Sequence, residues 1–299
     1  MRRIVPRLVL ILTLPLVAPL AAADEPARLE AAAQAVQQLI TRSGAEVAVA
    51  WQPLDAGPGE ALLINPTLRF HAASTMKVPV VIELLRRVDA GQLDLDATMV
   101  VENHFTSIVD GTPYTLSASR DSDGAIYEAL GEPRSYRALA EASIIVSSNL
   151  ATNLLIERLG ARRVQQTMDE LGASGMQVLR GVEDMKAFDA GMNNTTDAEA
   201  LLTLFLAIGT GRALSPAGTT ELLGILQRQA FTAGIPAGVT PGTAVAHKTG
   251  RITAIHHDAG IVYADRPYVL VVLTRGIDDE DESNALIAAI SRVLADAVE

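Results

Sequence analysis

The chain has no cysteine. That absence excludes disulfides, thiolate metal sites, a cysteine nucleophile and a lipid-bearing N-terminal cysteine. A fold without cross-links depends on its apolar core, and 299 residues of which 49% are hydrophobic suffice to build one. Positive charge is scarce as well, with 24 Lys and Arg against 35 Asp and Glu. Nucleic acid attracts basic stripes, so it is excluded as a partner. Internal repeats and low-complexity linkers are missing. No apolar run is long enough for a permanent membrane helix, because the one beginning at Leu8 is interrupted by Pro15 and Pro19.

What surrounds that run has a different meaning. Arg2, Arg3 and Arg7 precede it, and Ala21-Ala22-Ala23 offer small residues for cleavage before Asp24. This is the pattern of a secretory signal over residues 1–23. The expected mature protein, residues 24–299, is soluble, has no membrane anchor, and is periplasmic or secreted.

Alternation and turn residues predict strands over Val47–Trp51 and Ala61–Ile64, then Ala244–Lys248, His257–Ala264 and Tyr268–Thr274. Helical spacing marks Ala27–Arg42, Val78–Arg87, Tyr136–Ile145, Ala151–Leu159, Arg162–Leu171, Thr196–Ile208 and Ser283–Val298. Strands at both ends with helices between them predict an α/β fold. One antiparallel sheet is built from the two termini, flanked by helices, with an all-helical subdomain inserted. The expected sheet part covers about 24–70 and 210–299, and the helical part about 71–209. Ser107–Pro133 carries only a weak apolar pattern and is expected to be a long excursion on the surface.

Three short motifs carry chemistry. In Ser74-Thr75-Met76-Lys77 the serine and lysine share one face if a helix begins there. A serine hydroxyl needs such a neighbour, as base or as polarising cation, to become a nucleophile. A helix start would also aim backbone N–H groups at an oxyanion. Ser147-Ser148-Asn149 opens another helix, where capping alone would account for it. Lys248-Thr249-Gly250 ends a strand, where glycine admits a substrate backbone and lysine and threonine supply a cation and a hydroxyl.

Each motif alone has an ordinary structural explanation. In this order, Ser-x-x-Lys, Ser-x-Asn and Lys-Thr-Gly resemble the signature of class A β-lactamases and penicillin-recognising serine hydrolases. Phe70–Lys77 and Val146–Leu155, including Asn153, extend the resemblance. It implies the β-lactamase/transpeptidase fold and acyl transfer on Ser74, with Lys77 and Ser147 moving protons. Asn149, Lys248, Thr249, Gly250 and Arg251 would bind substrate. The N–H groups of Ser74 and Arg251 would form the oxyanion hole, and Glu183 would activate the deacylating water. No cofactor or metal is implied. The partner is a small-molecule β-lactam or peptidoglycan-like substrate, and a monomer is expected. The alternatives are a DD-peptidase or esterase of the same fold, or a penicillin-binding protein with little turnover.

The chain departs from the family pattern at several places. Ala187 stands where an asparagine usually helps hold the water, and Gly181 and Asn194 replace an arginine and an aspartate that clamp the loop. Ser148 stands for an aspartate, and the stretch from Ser74 to Ser147 is long. These changes predict slow turnover and leave acylation intact. Asp184 next to Glu183 keeps open an ordinary solvated loop acid. His256 and His257 point to opposite strand faces and cannot grip one metal ion. Arg251, Arg266 and Arg275 all sit near strand ends, unranked as partners of a substrate carboxylate.

Overall fold

Strand Glu46–Pro53 is buried on both faces, which explains why its sequence reads as a nearly continuous apolar run. Val47, Val49 and Trp51 face one side, and Ala48 and Ala50 the other. The computed structural model describes residues 25–57 and 60–298. The expected signal segment lies outside them.

Five antiparallel strands form the main sheet, in the order Leu62–Ile64, Glu46–Pro53, Tyr268–Arg275, Ile255–Val262 and Val245–Ile252. The two chain ends therefore meet at its centre, where Glu46–Pro53 pairs along its whole length with Tyr268–Arg275. Helices Glu25–Ser43 and Glu280–Asp296 pack on the Trp51 face, through Val36, Ile40, Ile287 and Ile290. On the other face, the small side chains of Ala48, Ala50 and Ala259 let helix Ala198–Gly209 approach. Each fully buried aliphatic side chain in these layers contributes about 1.5–3 kcal/mol. The expected α/β fold is present.

Helix Lys77–Asp89 runs through the centre of the helical part and is buried from Lys77 to Leu85. It is surrounded by helices Tyr136–Ile145, Asn149–Leu159, Ala161–Glu170 and Pro216–Leu226. The last of these was not expected from the sequence. Its large apolar residues are confined to Leu222–Leu226, too short a run to show a period, and its start is set by Pro216 and a Ser215 cap.

Ser107–Pro133 runs largely over the surface, as composition predicts, but it carries short elements of its own. Phe105–Thr106 pairs with Pro113–Tyr114, and 3₁₀ turns follow at Ala118–Arg120 and Gly124–Ala129. Leu116 and Ile126 join the core of the helical part, and Ala129 is buried as well. Elements this short have no periodic signal, so only their tertiary contacts reveal them.

Candidate functional site

Ser74 lies in a 3₁₀ turn, Ala73–Met76, that feeds the helix beginning at Lys77. The single helix start expected at Ser74 is thus two pieces. The turn is fixed from both sides: His71 Nδ1 accepts the Ala73 N–H at 3.0 Å, and Thr75 Oγ1 donates to the Ala72 carbonyl at 2.6 Å. Burial, and then Arg180, hold His71 down to about 4, so its ring is neutral and free to accept. Strand Val245–Ile252 lies directly against the turn. A Cβ at Gly250 would sit 3.1 Å from Thr75 Cγ2 and 3.2 Å from the Ala72 carbonyl, which accounts for the glycine of Lys-Thr-Gly. Ser74, Ser147, Asn149, Thr249, Gly250 and Arg251 all line one open cleft.

Behind Ser74, two lysines converge on Ser147. Lys77 Nζ donates to the Ser147 carbonyl at 2.6 Å, to Ser147 Oγ at 3.2 Å and to Asn149 Oδ1 at 2.8 Å. Lys248 Nζ donates to the same Oγ at 3.0 Å and to the Thr249 carbonyl at 3.0 Å. Both lysines are fully buried. Burial lowers Lys77 to about 7, against the opposing pull of Asp121 and Glu183. Lys248 is held well below the usual lysine range by burial and then by the charge of Lys77, with Asp258 opposing. A lysine near 7 exchanges a proton readily at neutral pH.

The relay continues to Glu183. Asn149 Nδ2 donates to Glu183 Oε1 at 2.9 Å, so Asn149 joins the lysine to the carboxylate. Asp184 turns the other way. Its carboxylate accepts from Ser107 Oγ, the Ile108 N–H and the Ala187 N–H at 2.9, 2.9 and 3.1 Å, capping the short helix Met185–Asp189. Of these two neighbouring acids, only Glu183 reaches the cluster. Ala73, Ser147 and Glu183 have φ of 46, 60 and 61°, three of the five non-glycine residues in the left-handed region among the described residues. Backbone strain is concentrated around the site.

The model of the beta-lactamase enzyme family matches residues 31–298. The chain belongs to this family. It is a serine hydrolase of class A architecture. A β-lactamase of Bacillus amyloliquefaciens is 28% identical over 81% of this chain and 77% of its own length. The extended-spectrum β-lactamase PER-1 of Pseudomonas aeruginosa is 25% identical over 86% and 84%. Among solved structures, PBP-A is similar with 29% identity and a TM-score of 0.76, over 90% of this chain and 97% of that one. That PBP-A structure is a mutant captured as an acyl-enzyme complex with penicillin G.

In this β-lactamase-family chain the Glu183 loop is held by residues that the motifs do not disclose. A Cβ at Gly181 would lie 2.6 Å from Asn153 Oδ1, and only glycine lets the loop backbone rest there. Asn153 then accepts the Val182 N–H at 2.7 Å and donates to the Val182 carbonyl at 3.0 Å. Asn194 Oδ1 receives the N–H groups of Leu179 and Arg180 at 2.8 and 3.2 Å, and its Nδ2 donates to the Arg180 carbonyl at 2.9 Å. Arg180 donates to the Met192 carbonyl and to Asn193 Oδ1, at 2.8 and 2.9 Å. The clamp thus consists of the guanidinium of Arg180, one residue before Gly181, on Met192 and Asn193, and of an uncharged Asn194 on the backbone of Leu179 and Arg180. Asn194→Ala leaves three backbone groups unpaired and is expected to cost about 2 kcal/mol or more. Thermal unfolding should show a Tm fall of about 4 °C or more; a change under about 1 °C would mean that the loop ends are held elsewhere.

The remaining candidates now separate. Arg266 binds Asp55 at 2.9 Å, and Arg275 binds Glu46 and stacks 5.1 Å over Phe70, so both are engaged outside the cleft. Arg251 lines the cleft and pairs with Glu280. Arg120, from the 107–133 stretch, also lines it. His257 Nε2 donates to the His71 carbonyl at 2.9 Å, and burial lowers this ring to about 4. His247 pairs with Asp258 at 2.8 Å. Among the described residues no group of three or more His, Cys, Asp or Glu is arranged to hold a metal ion.

Proposed function

We propose that this protein is an exported enzyme, with residues 24–299 as one catalytic unit, that opens β-lactam rings through an acyl-enzyme on Ser74. The observation that carries the reading is the continuous hydrogen-bonded chain from buried Lys248 through Ser147 and Lys77 to half-buried Asn149 and Glu183, beside a serine that lines the cleft. Lys77, near 7, takes the Ser74 proton as Oγ attacks the lactam carbonyl carbon. The ring C–N bond breaks, and its nitrogen receives that proton through Ser147. Water then attacks the ester carbon, and Glu183 takes one of its protons. The ester C–O bond to Ser74 breaks, and a proton returns to Ser74 Oγ from Lys77 while Glu183 gives its own back to the lysine, restoring the hydroxyl and the carboxylate. The N–H groups of Ser74 and Arg251 stabilise the oxyanion in both steps. Thr249 and Arg251, which line the cleft, meet the carboxylate of the substrate, with Lys248 buried behind them and donating to the Thr249 carbonyl.

A second reading, a penicillin-binding protein with little turnover, is favoured by one observation. Ala187 is fully buried and provides no side-chain group for the hydrolytic water. Intact mass of the mature chain over time with a penicillin distinguishes the two. The expected result is an adduct that forms and then clears while hydrolysed drug accumulates. A persistent adduct would establish the second reading, and no adduct would overturn acyl transfer to β-lactams altogether.

A further inference from the structure

Ser147 receives both lysines on its hydroxyl, yet its backbone has a φ of 60°, which is costly for any residue with a Cβ. Something must hold it there. The helix before it ends at Ile145 and the next begins at Asn149, so its own helices do not enclose it. The stretch across the cleft does. Asp121 accepts the Asn149 N–H on both carboxylate oxygens, at 2.9 and 3.0 Å, and the Leu150 N–H at 2.9 Å. Next to it, Ser122 Oγ donates to the Ser147 carbonyl at 3.2 Å. Tyr127 Oη in turn donates to Asp121 at 3.1 Å. Ser148, which stands where the family motif usually has aspartate, caps the Ala151 N–H at 3.3 Å and hydrogen-bonds Asp123.

We propose that Asp121 is a positioning residue for acylation: its carboxylate, delivered from outside the motif, holds Ser147 and Asn149 in register with Lys77. The inference rests on the acyl-transfer reading of Ser74. A carboxylate at the first N–H groups of a helix is favoured by the backbone dipoles, and here it also offsets the cost of the strained residue just before. Its charge reaches further. The ionisable groups facing Lys77 are Lys248, Asp121 and Glu183, and the two carboxylates oppose the effect of burial. Asp123 and Tyr127 face Asp121 itself, and both are raised by burial first and then by its charge. Removing the Asp121 charge therefore lets Lys77 deprotonate at still lower pH.

The test compares the wild type with Asp121→Asn, which keeps the shape, and Asp121→Ala, which does not. Three measurements are made: Lys77 titration by NMR in lysine-labelled protein, amide exchange at Asn149 and Leu150, and the rate of penicillin adduct formation against pH. In Asp121→Asn, Lys77 should titrate about half a unit lower, and the low-pH limb of acylation should move with it. The two amides should exchange about tenfold faster, and the acylation plateau should fall about tenfold. Asp121→Ala should lose more at the two amides. An unchanged Lys77 titration and unchanged exchange in a folded Asp121→Asn protein would overturn the proposal. So would a fall in acylation that simply follows lost thermal stability, with the pH profile in place. If the Lys77 and amide signals move while the wild type takes up no penicillin, the positioning role stands and the β-lactam reading fails.

Discussion

Replacing Ser74 with alanine should abolish covalent labelling by penicillins and reduce their hydrolysis by about 10⁴-fold or more. The size follows from the arrangement. Lys77, Ser147, Lys248, Asn149 and Glu183 are joined to one another, and in the proposed mechanism the bond to the substrate forms at the Ser74 hydroxyl. The other groups act as a unit with it, and without it they have no proton to move. The fold should not suffer. Ser74 is half-buried in the cleft wall and its hydroxyl makes no hydrogen bond among the described residues, so the stability change should stay within about 0.5 kcal/mol. Intact mass and peptide mapping after incubation with penicillin check this. Labelling that persists in the variant would remove Ser74 as the nucleophile.

Glu183→Gln should convert the enzyme into a trap. The amide retains the size of the carboxylate and can still accept from Asn149 Nδ2, a contact of 2.9 Å in the parent. It cannot take a proton from water. Deacylation should slow by about 10²–10⁴-fold, the usual worth of a general base, and the adduct should accumulate to one per chain. The same variant separates the two candidate bases for the first step. If Lys77, held near 7, removes the Ser74 proton, adduct formation should be nearly unchanged while clearance stops. A parallel fall in the acylation rate would assign both steps to Glu183, and unchanged clearance would remove it from the mechanism. Because Ala187 offers no amide to the water, parent turnover is expected to be slow for this family.

Much of this site can be read from the chain, because its parts depend on short spacing. Ser74 and Lys77 belong to one turn and the helix it feeds, Ser147 and Asn149 to one helix start, and Lys248, Thr249 and Gly250 to one strand. Local geometry places such residues together whatever the rest of the fold does. The loop acid was legible only as a pair. Glu183 and Asp184 are chemically alike in sequence, and their roles diverge because Ser107 and Ile108 fold back to occupy Asp184.

What the sequence determined by itself is the α/β class, the long amphipathic helices, the strand pairing of the two termini and the three motifs. All of these rest on periodicity or on spacings of a few residues. Tertiary structure decided the rest: that Asp121 caps the Ser147 motif, that Arg180 and Asn194 close the Glu183 loop, that Arg251 rather than Arg266 or Arg275 faces the cleft, and that Ser119–Ser122 line part of its wall. These contacts join residues distant along the chain through a few side-chain hydrogen bonds each, and no local propensity encodes them. They exist only once the core has brought the backbone segments within about 3 Å of one another.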